Sequence, residues 1–205
     1  MKAVMVEQTA YYPSKILCVG RNYVEHIHEL GNEMPEEMVV FNKPNSSIAH
    51  DLLSFAQEPL HYEAEICFLV TNRQLSAIGF GIDLTKRSLQ AKLKTKGLPW
   101  ERAKAFDQSA KFSRFVPVQT DMDLSSLEVE LFINSVRVQL GNAKQMLYKP
   151  ETVLQELQQY TQLEDGDVIM TGTPQGVGII EKDDRFLGRI RCDGKVIIEV
   201  EWVAV

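Results

Sequence analysis

The run Tyr62-Glu63-Ala64-Glu65 leads straight into the apolar segment Ile66–Val70, and this junction is the first place where chemistry is suggested. Side chains alternate along a strand, so Glu63 and Glu65 share one side with Cys67 and Leu69, while Ala64, Ile66, Phe68 and Val70 take the other. Both sides are apolar, which predicts a buried strand with two carboxylates at its mouth, repelling each other and losing hydration. A divalent cation resolves both penalties, and oxygen-only ligation points to Mg2+, Mn2+ or Ca2+ rather than zinc. A solvated strand end has the same Glu-x-Glu spacing, because exposed acids are the norm. A third acid is therefore needed. Asp83, closing Gly79-Phe80-Gly81-Ile82-Asp83 just before a predicted helix, is a candidate ligand and equally a candidate N-cap of that helix.

His26 and Glu29 stand three apart on a short predicted helix and so share a face. A carboxylate beside an imidazole orients it and favours its protonated form, which suits a general base acting on water. An ordinary surface pair has the same spacing. Arg21 and Lys43 read either as surface cations or as partners for a substrate carboxylate, with Arg offering the bidentate fork. Arg87 and Gln90 repeat the spacing of three on a second helix. Lys104, flanked by Trp100 and Phe106, is either solvated or a buried donor to a developing oxyanion. Thr171-Gly172-Thr173-Pro174-Gln175-Gly176-Val177-Gly178 lacks the ending of a phosphate loop. It fits a ligand-facing Gly/Thr turn or a purely structural one.

The elements that must hold these residues are mostly strands, at Ile16–Val19, Ile66–Val70, Val129–Ile133, Val168–Met170, Ile190–Cys192 and Val196–Val200. Asp193-Gly194 predicts a hairpin turn. Three helices are expected. The first runs from Tyr23 to Leu30, with Asn22 as N-cap, Glu25 in capping-box position and Gly31 at the end. The second spans about Leu84 to Lys96, and the third follows Pro150 with Val153, Leu154, Leu157 and Tyr160 on one face. Strands outnumber helices without regular interleaving, which predicts an antiparallel or mixed α+β fold.

The chain has 205 residues with ordinary globular usage, and it fits one domain over residues 1–205. Its net charge of −6 and the lack of a Lys/Arg-rich block argue against nucleic acid as a partner. Three scattered cysteines, Cys18, Cys67 and Cys192, argue against a disulfide framework and for a reducing compartment. No stretch is apolar enough to span a membrane, and a cytoplasmic location is expected.

Together these segments resemble the fumarylacetoacetate hydrolase family from Ile16 to about Gly178. The matching pieces, in the family's order, begin with Gly20-Arg21-Asn22-Tyr23 followed by His26 and Glu29, then Lys43-Pro44, then Tyr62-Glu63-Ala64-Glu65. Asp83 with Thr85, Arg87 and Gln90 comes next, then Gly97-Leu98-Pro99-Trp100 with Lys104, then Thr171-Gly172-Thr173-Pro174 and Gly176-Val177-Gly178. The resemblance implies a mixed β-sandwich or roll with a few short helices, usually dimeric. It implies a Mg2+ or Mn2+ site on Glu63, Glu65 and Asp83, and a lid dyad of His26 and Glu29. Gln90 and Lys104 become catalytic partners, and Arg21 and Thr173 substrate-side groups; Lys43 and Arg87 are also expected to bind substrate. Gly97-Leu98-Pro99-Trp100 is similar to the acylpyruvate hydrolase and oxaloacetate decarboxylase branch. The expected substrate is a small 2-oxo acid. The leading expectation is hydrolysis of a C–C bond in an acylpyruvate, with pyruvate leaving as a metal-stabilised enolate. Oxaloacetate decarboxylation, isomerase or hydratase chemistry, and a metal-stabilised protein without turnover are the alternatives. Three positions depart from the family's pattern: Ser88 for Asp, Lys86 for a small residue, and Ser135 for the Gly of an Asn-Gly turn.

Overall fold

The predicted buried strand sits inside the larger of the two main β-sheets. The computed structural model describes residues 1–31 and 33–205. In chain order the strands begin with β1 (Val4–Val6), β2 (Thr9–Tyr11), β3 (Lys15–Gly20), β4 (Val39–Pro44), β5 (His61–Tyr62), β6 (Ala64–Thr71) and β7 (Gln74–Asp83). They continue with β8 (Ala110–Phe112), β9 (Val116–Pro117), β10 (Glu128–Ile133), β11 (Val136–Asn142), β12 (Val168–Met170), β13 (Gly178–Ile179), β14 (Arg185–Cys192) and β15 (Lys195–Val203). The larger sheet has the order β4-β3-β12-β6-β7-β8, with β9 also on β7. It is mixed, because β12 runs parallel to β3 and antiparallel to β6. The smaller sheet, β11-β10-β14-β15, is antiparallel throughout. Beside these two, β1-β2 and β13-β5 form two-stranded ribbons.

The alternation read from the sequence sorts β6 between two apolar clusters. Ala64, Ile66, Phe68 and Val70 pack with Phe80 and Ile82 against Val129, Leu131, Phe186 and Ile190 of the smaller sheet. Cys67 and Leu69 pack on the opposite face with Ile16, Cys18, Val168, Met170 and Phe115. The two sheets approach closely at Gly188, where an added Cβ would lie 2.3 Å from the Phe80 ring. Both predicted faces are therefore buried, and the fold is mainly β with four short helices.

The helices are α1 (Val24–Glu29), α2 (Arg87–Thr95), α3 (Glu101–Lys104) and α4 (Pro150–Tyr160). Two expected boundaries are corrected. Asn22 does not cap α1: the N-cap is Tyr23, without a side-chain cap. Asn22 is spent on tertiary bonds instead. Its Nδ2 donates to the carbonyls of Tyr148 (3.0 Å) and Thr171 (2.8 Å), and its Oδ1 accepts from the Tyr148 amide at 2.8 Å. Helix α2 starts at Arg87 rather than Leu84, because Leu84 and Thr85 remain extended, bonded to Ser109 and His61. Asp83 is thus the last residue of β7 and not a cap. Helix α4 opens on Pro150 as expected and buries Val153 and Leu157, but Tyr160 is exposed. The Asp193-Gly194 hairpin joins β14 to β15 with both residues at positive φ. No helix among the described residues is long and apolar enough to cross a membrane.

Candidate metal centre and active site

Glu63 and Glu65 flank the start of β6, and Asp83 ends β7, which pairs antiparallel with β6. This register brings the three acids together: each offers a carboxylate oxygen within 4.8 Å of the others, and all three are buried. Lys104, at the end of α3, donates to Glu63 Oε2 (2.8 Å), Asp83 Oδ2 (2.6 Å) and Thr85 Oγ1. Arg87 adds hydrogen bonds to Glu63 Oε1 and, at 2.8 Å, to Gln90 Oε1. Glu65 Oε2 accepts the Gly172 amide at 2.6 Å.

The electrostatics divide the acids. Burial alone would raise the Glu63 pKa, but the Lys104 and Arg87 charges hold it well below the usual carboxylate range. Burial, followed by repulsion from Asp83 and Glu63, pushes Glu65 well above that range. Asp83 Oδ1 is buried and accepts no aligned hydrogen bond. Lys43 Nζ lies 2.8 Å from it, but as an ion pair without hydrogen-bond alignment. A repelled carboxylate, an oxygen lacking a donor and an all-oxygen donor set fit a hard divalent cation of the Mg2+ or Mn2+ kind.

His26 lines the same cleft as this centre and is paired with Glu29. His26 Nδ1 is 2.9 Å from Glu29 Oε2, and the other oxygen, Glu29 Oε1, accepts the Gly176 amide at 2.9 Å. Six-residue α1 is thereby tied to the Gly/Thr loop. Gly176 has φ +98, and a Cβ there would meet the Val138 carbonyl at 2.0 Å, so only glycine fits. His26, the three acids, Arg21, Arg87, Gln90, Lys104 and Thr173 all line one cleft, together with Leu30, Phe41, Lys94 and Trp100.

Residues 15–191 match the family described as Fumarylacetoacetate (FAA) hydrolase C-terminal. The chain belongs to the fumarylacetoacetate hydrolase family. Oxaloacetate tautomerase YcgM of Escherichia coli K12 is 37% identical over 193 residues, covering 85% of this chain and 88% of that protein. A candidate fumarylacetoacetate isomerase/hydrolase from Oleispira antarctica superposes with a TM-score of 0.93 at 32% identity, over all of both chains. Fumarylpyruvate hydrolase from Pseudomonas aeruginosa, solved with Mn2+ and pyruvate, superposes with a TM-score of 0.89 at 26% identity, over 100% of this chain and 95% of that one.

Within this family member, two expected site residues do not line the cleft: Glu29, which reaches it only through His26, and Lys43. Lys43 is fully buried behind Asp83, bonded to the Ser109 carbonyl (3.1 Å) and hydroxyl (3.0 Å), and does not line the cleft. It forms a buried ion pair with Asp83 at 2.8 Å. Lys104, expected to steady an oxyanion, has its three ammonium protons committed to Glu63, Asp83 and Thr85. The Ser88 departure leaves Arg87 held, because Gln90 and Glu63 do the holding; the Ser88 amide donates to Glu58 at 3.0 Å.

Two residues escaped the sequence reading. Gln139 of β11 is buried between the sheets. Its Oε1 accepts the Ala64 amide at 2.9 Å, and its Nε2 donates to Thr173 Oγ1 at 2.9 Å and the Pro174 carbonyl at 2.8 Å. It thus locks the residue between Glu63 and Glu65 to the loop that holds Glu65 and Glu29. Lys94 is the other, a cation on the cleft wall 4.6 Å from the Trp100 ring centroid. Its position seven residues after Arg87 on one helix is the signal that could have found it.

Proposed function

We propose that this protein acts on small 2-oxo acids of the oxaloacetate type and catalyses their keto–enol interconversion, moving a proton between C3 and the 2-oxo oxygen. The observation that carries the reading is His26, held by Glu29, lining the same cleft as three converging carboxylates. The 37% identity to an oxaloacetate tautomerase supports it.

A Mg2+ or Mn2+ ion on Glu63, Glu65 and Asp83 would supply Lewis acidity toward the substrate's oxygens. The remaining work falls to the chain. Glu29 holds His26 by Nδ1, leaving Nε2 to take the C3 proton. The Glu29 charge steadies the resulting imidazolium, and the Gly176 amide keeps Glu29 in place. As the C3–H bond breaks, its electron pair forms the C2–C3 double bond and the carbonyl pair moves onto oxygen. His26 then returns the proton to that oxygen. Arg87 and Lys104 fix Glu63, and Leu30, Phe41 and Trp100 restrict water.

Carbon–carbon hydrolysis of an acylpyruvate is the second reading, favoured by the likeness to the Pseudomonas fumarylpyruvate hydrolase. The same dyad would then take a proton from water as the water attacks the distal carbonyl, and the C3–C4 bond would break to release pyruvate as its enolate.

The test follows oxaloacetate enolisation, CO2 release and acylpyruvate cleavage in parallel, with Mg2+ or Mn2+ present and after chelation. Metal-dependent enolisation above the rate of the free ion, lost in His26→Ala by about 100-fold or more, is the expected result. Enolisation no faster than with the metal alone would overturn the first reading. Acylpyruvate cleavage in that experiment would establish the second.

A further inference from the structure

We infer that Lys94 receives the far carboxylate of a dicarboxylic 2-oxo acid and so sets the enzyme's preference for dicarboxylates over monocarboxylic acylpyruvates. The inference rests on the proposed 2-oxo-acid chemistry and adds the group that selects among such substrates.

Arg87, Gln90 and Lys94 share one face of α2. The inner end of that face meets Glu63 through Arg87. Seven residues of helix place the Lys94 backbone roughly 10 Å farther along the axis, on the same cleft wall. The face therefore runs from the metal-ligating acids outward to an ammonium group, the direction in which the tail of a substrate anchored at the acids would extend.

Three of the other cations near the acids are committed to them. Arg87 is held by Glu63 and Gln90, Lys104 by Glu63, Asp83 and Thr85, and Lys43 by Asp83. Among the described residues no carboxylate lies within 4.0 Å of Lys94 Nζ, whose close neighbour is the Trp100 ring. Burial, and next the Arg21 charge, lower its pKa to about 8. A half-buried ammonium facing a second cation is poorly satisfied, and an incoming carboxylate would relieve both penalties. Trp100 also limits the directions the long side chain can take.

The experiment compares wild type, Lys94→Met and Lys94→Arg, all loaded with Mn2+. Turnover is measured with oxaloacetate and fumarylpyruvate as dicarboxylates and acetylpyruvate as the monocarboxylate. Calorimetry measures binding of two non-reacting 2-hydroxy acids, malate with a far carboxylate and lactate without one. Lys94→Met is expected to weaken malate binding and raise KM for the dicarboxylates about 10- to 100-fold, the usual scale for losing a charge-assisted bond. Lactate binding and acetylpyruvate turnover should stay within about threefold, and Lys94→Arg should recover most of the loss. Equal losses for both substrate classes, or unchanged malate binding in Lys94→Met, would overturn the role. If wild type turns over none of the three acids, the functional reading fails, while the malate-to-lactate comparison still decides for or against Lys94.

Discussion

Replacing Gln139 by alanine tests whether the metal centre is held from the opposite sheet. The side chain is buried and makes three hydrogen bonds of 2.8 to 2.9 Å. After truncation Thr173 Oγ1 still donates to the Ala64 carbonyl at 2.9 Å, so that contact survives. The Ala64 amide and the Pro174 carbonyl lose a partner. Each buried group left unpaired costs about 1–3 kcal/mol, giving a destabilisation of roughly 2–5 kcal/mol for the pair. For a domain of this size the melting temperature should fall by about 5–15 °C. Ala64 separates two metal ligands, and the loosened loop carries the Gly172 amide that holds Glu65. Calorimetric titration with Mn2+ at a temperature where the variant is still folded should therefore show affinity weakened about tenfold, the scale of losing a partner that orients a ligand. Melting within about 2 °C of wild type with unchanged Mn2+ affinity would refute the reasoning.

Glycine at Ser135 should stabilise the protein, because Asn134 and Ser135 turn between β10 and β11 at φ 50 and 69. A gain of about 1 kcal/mol in chemical denaturation is expected for Ser135→Gly, and a loss would show that the serine side chain supports the turn. Asp167 is buried and accepts hydrogen bonds from the Ser14 amide (2.9 Å) and hydroxyl (2.8 Å) and from Lys15 Nζ (2.6 Å). Burial would raise its pKa, but these bonds win and lower it. Its stabilisation is therefore complete above the unfolded value of about 3.9 and fades as pH falls through the lower folded value. Asp167→Asn should melt well below wild type at neutral pH, and the gap should narrow below about pH 4; a gap constant from pH 7 to pH 3 would contradict this. Mn2+ should raise the melting temperature of wild type and much less that of Glu65→Gln, and equal shifts would place the ion elsewhere. Glu29→Gln should slow enolisation while leaving Mn2+ affinity within about threefold, since among the described residues Glu29 bonds His26 and Gly176 and none of the three acids.

The pairing of Glu63 with Glu65 was legible because it obeys local rules, whereas Asp83 joined them only through the family resemblance. A period of two put Glu63 and Glu65 on one side of β6, and both of its apolar faces announced burial. What local rules could not reveal was long-range bonding. Asn22 looks like a helix cap, but its amide bridges segments more than 120 residues away, and tertiary partners outcompeted the cap. Gln139 reads as one polar residue among several on an edge strand, and its bond to Ala64 spans 75 residues of sequence. Strand β7 escaped notice because Ser76, Gly79 and Gly81 weaken the apolar signal. The glycines are there for room: a Cβ at Gly79 would strike the Phe115 ring at 2.6 Å, and one at Gly81 the Cys67 sulfur at 2.5 Å. Lys43 looked like a substrate ligand because family order fixes sequence position, whereas burial behind Asp83 is a property of the packed sheet.

Strand β6 divides its side chains between two separate apolar clusters, which limits how this scaffold can change length. Deleting or inserting one residue between Ala64 and Val70 would exchange the faces, sending phenylalanine and isoleucine into space shaped for cysteine and leucine and turning Glu65 away from Asp83. New specificities should therefore arise by lengthening or recolouring the cleft wall around Lys94 to Trp100. A mutagenesis library that varies length there should retain folded members, and one that varies it within β6 should retain almost none.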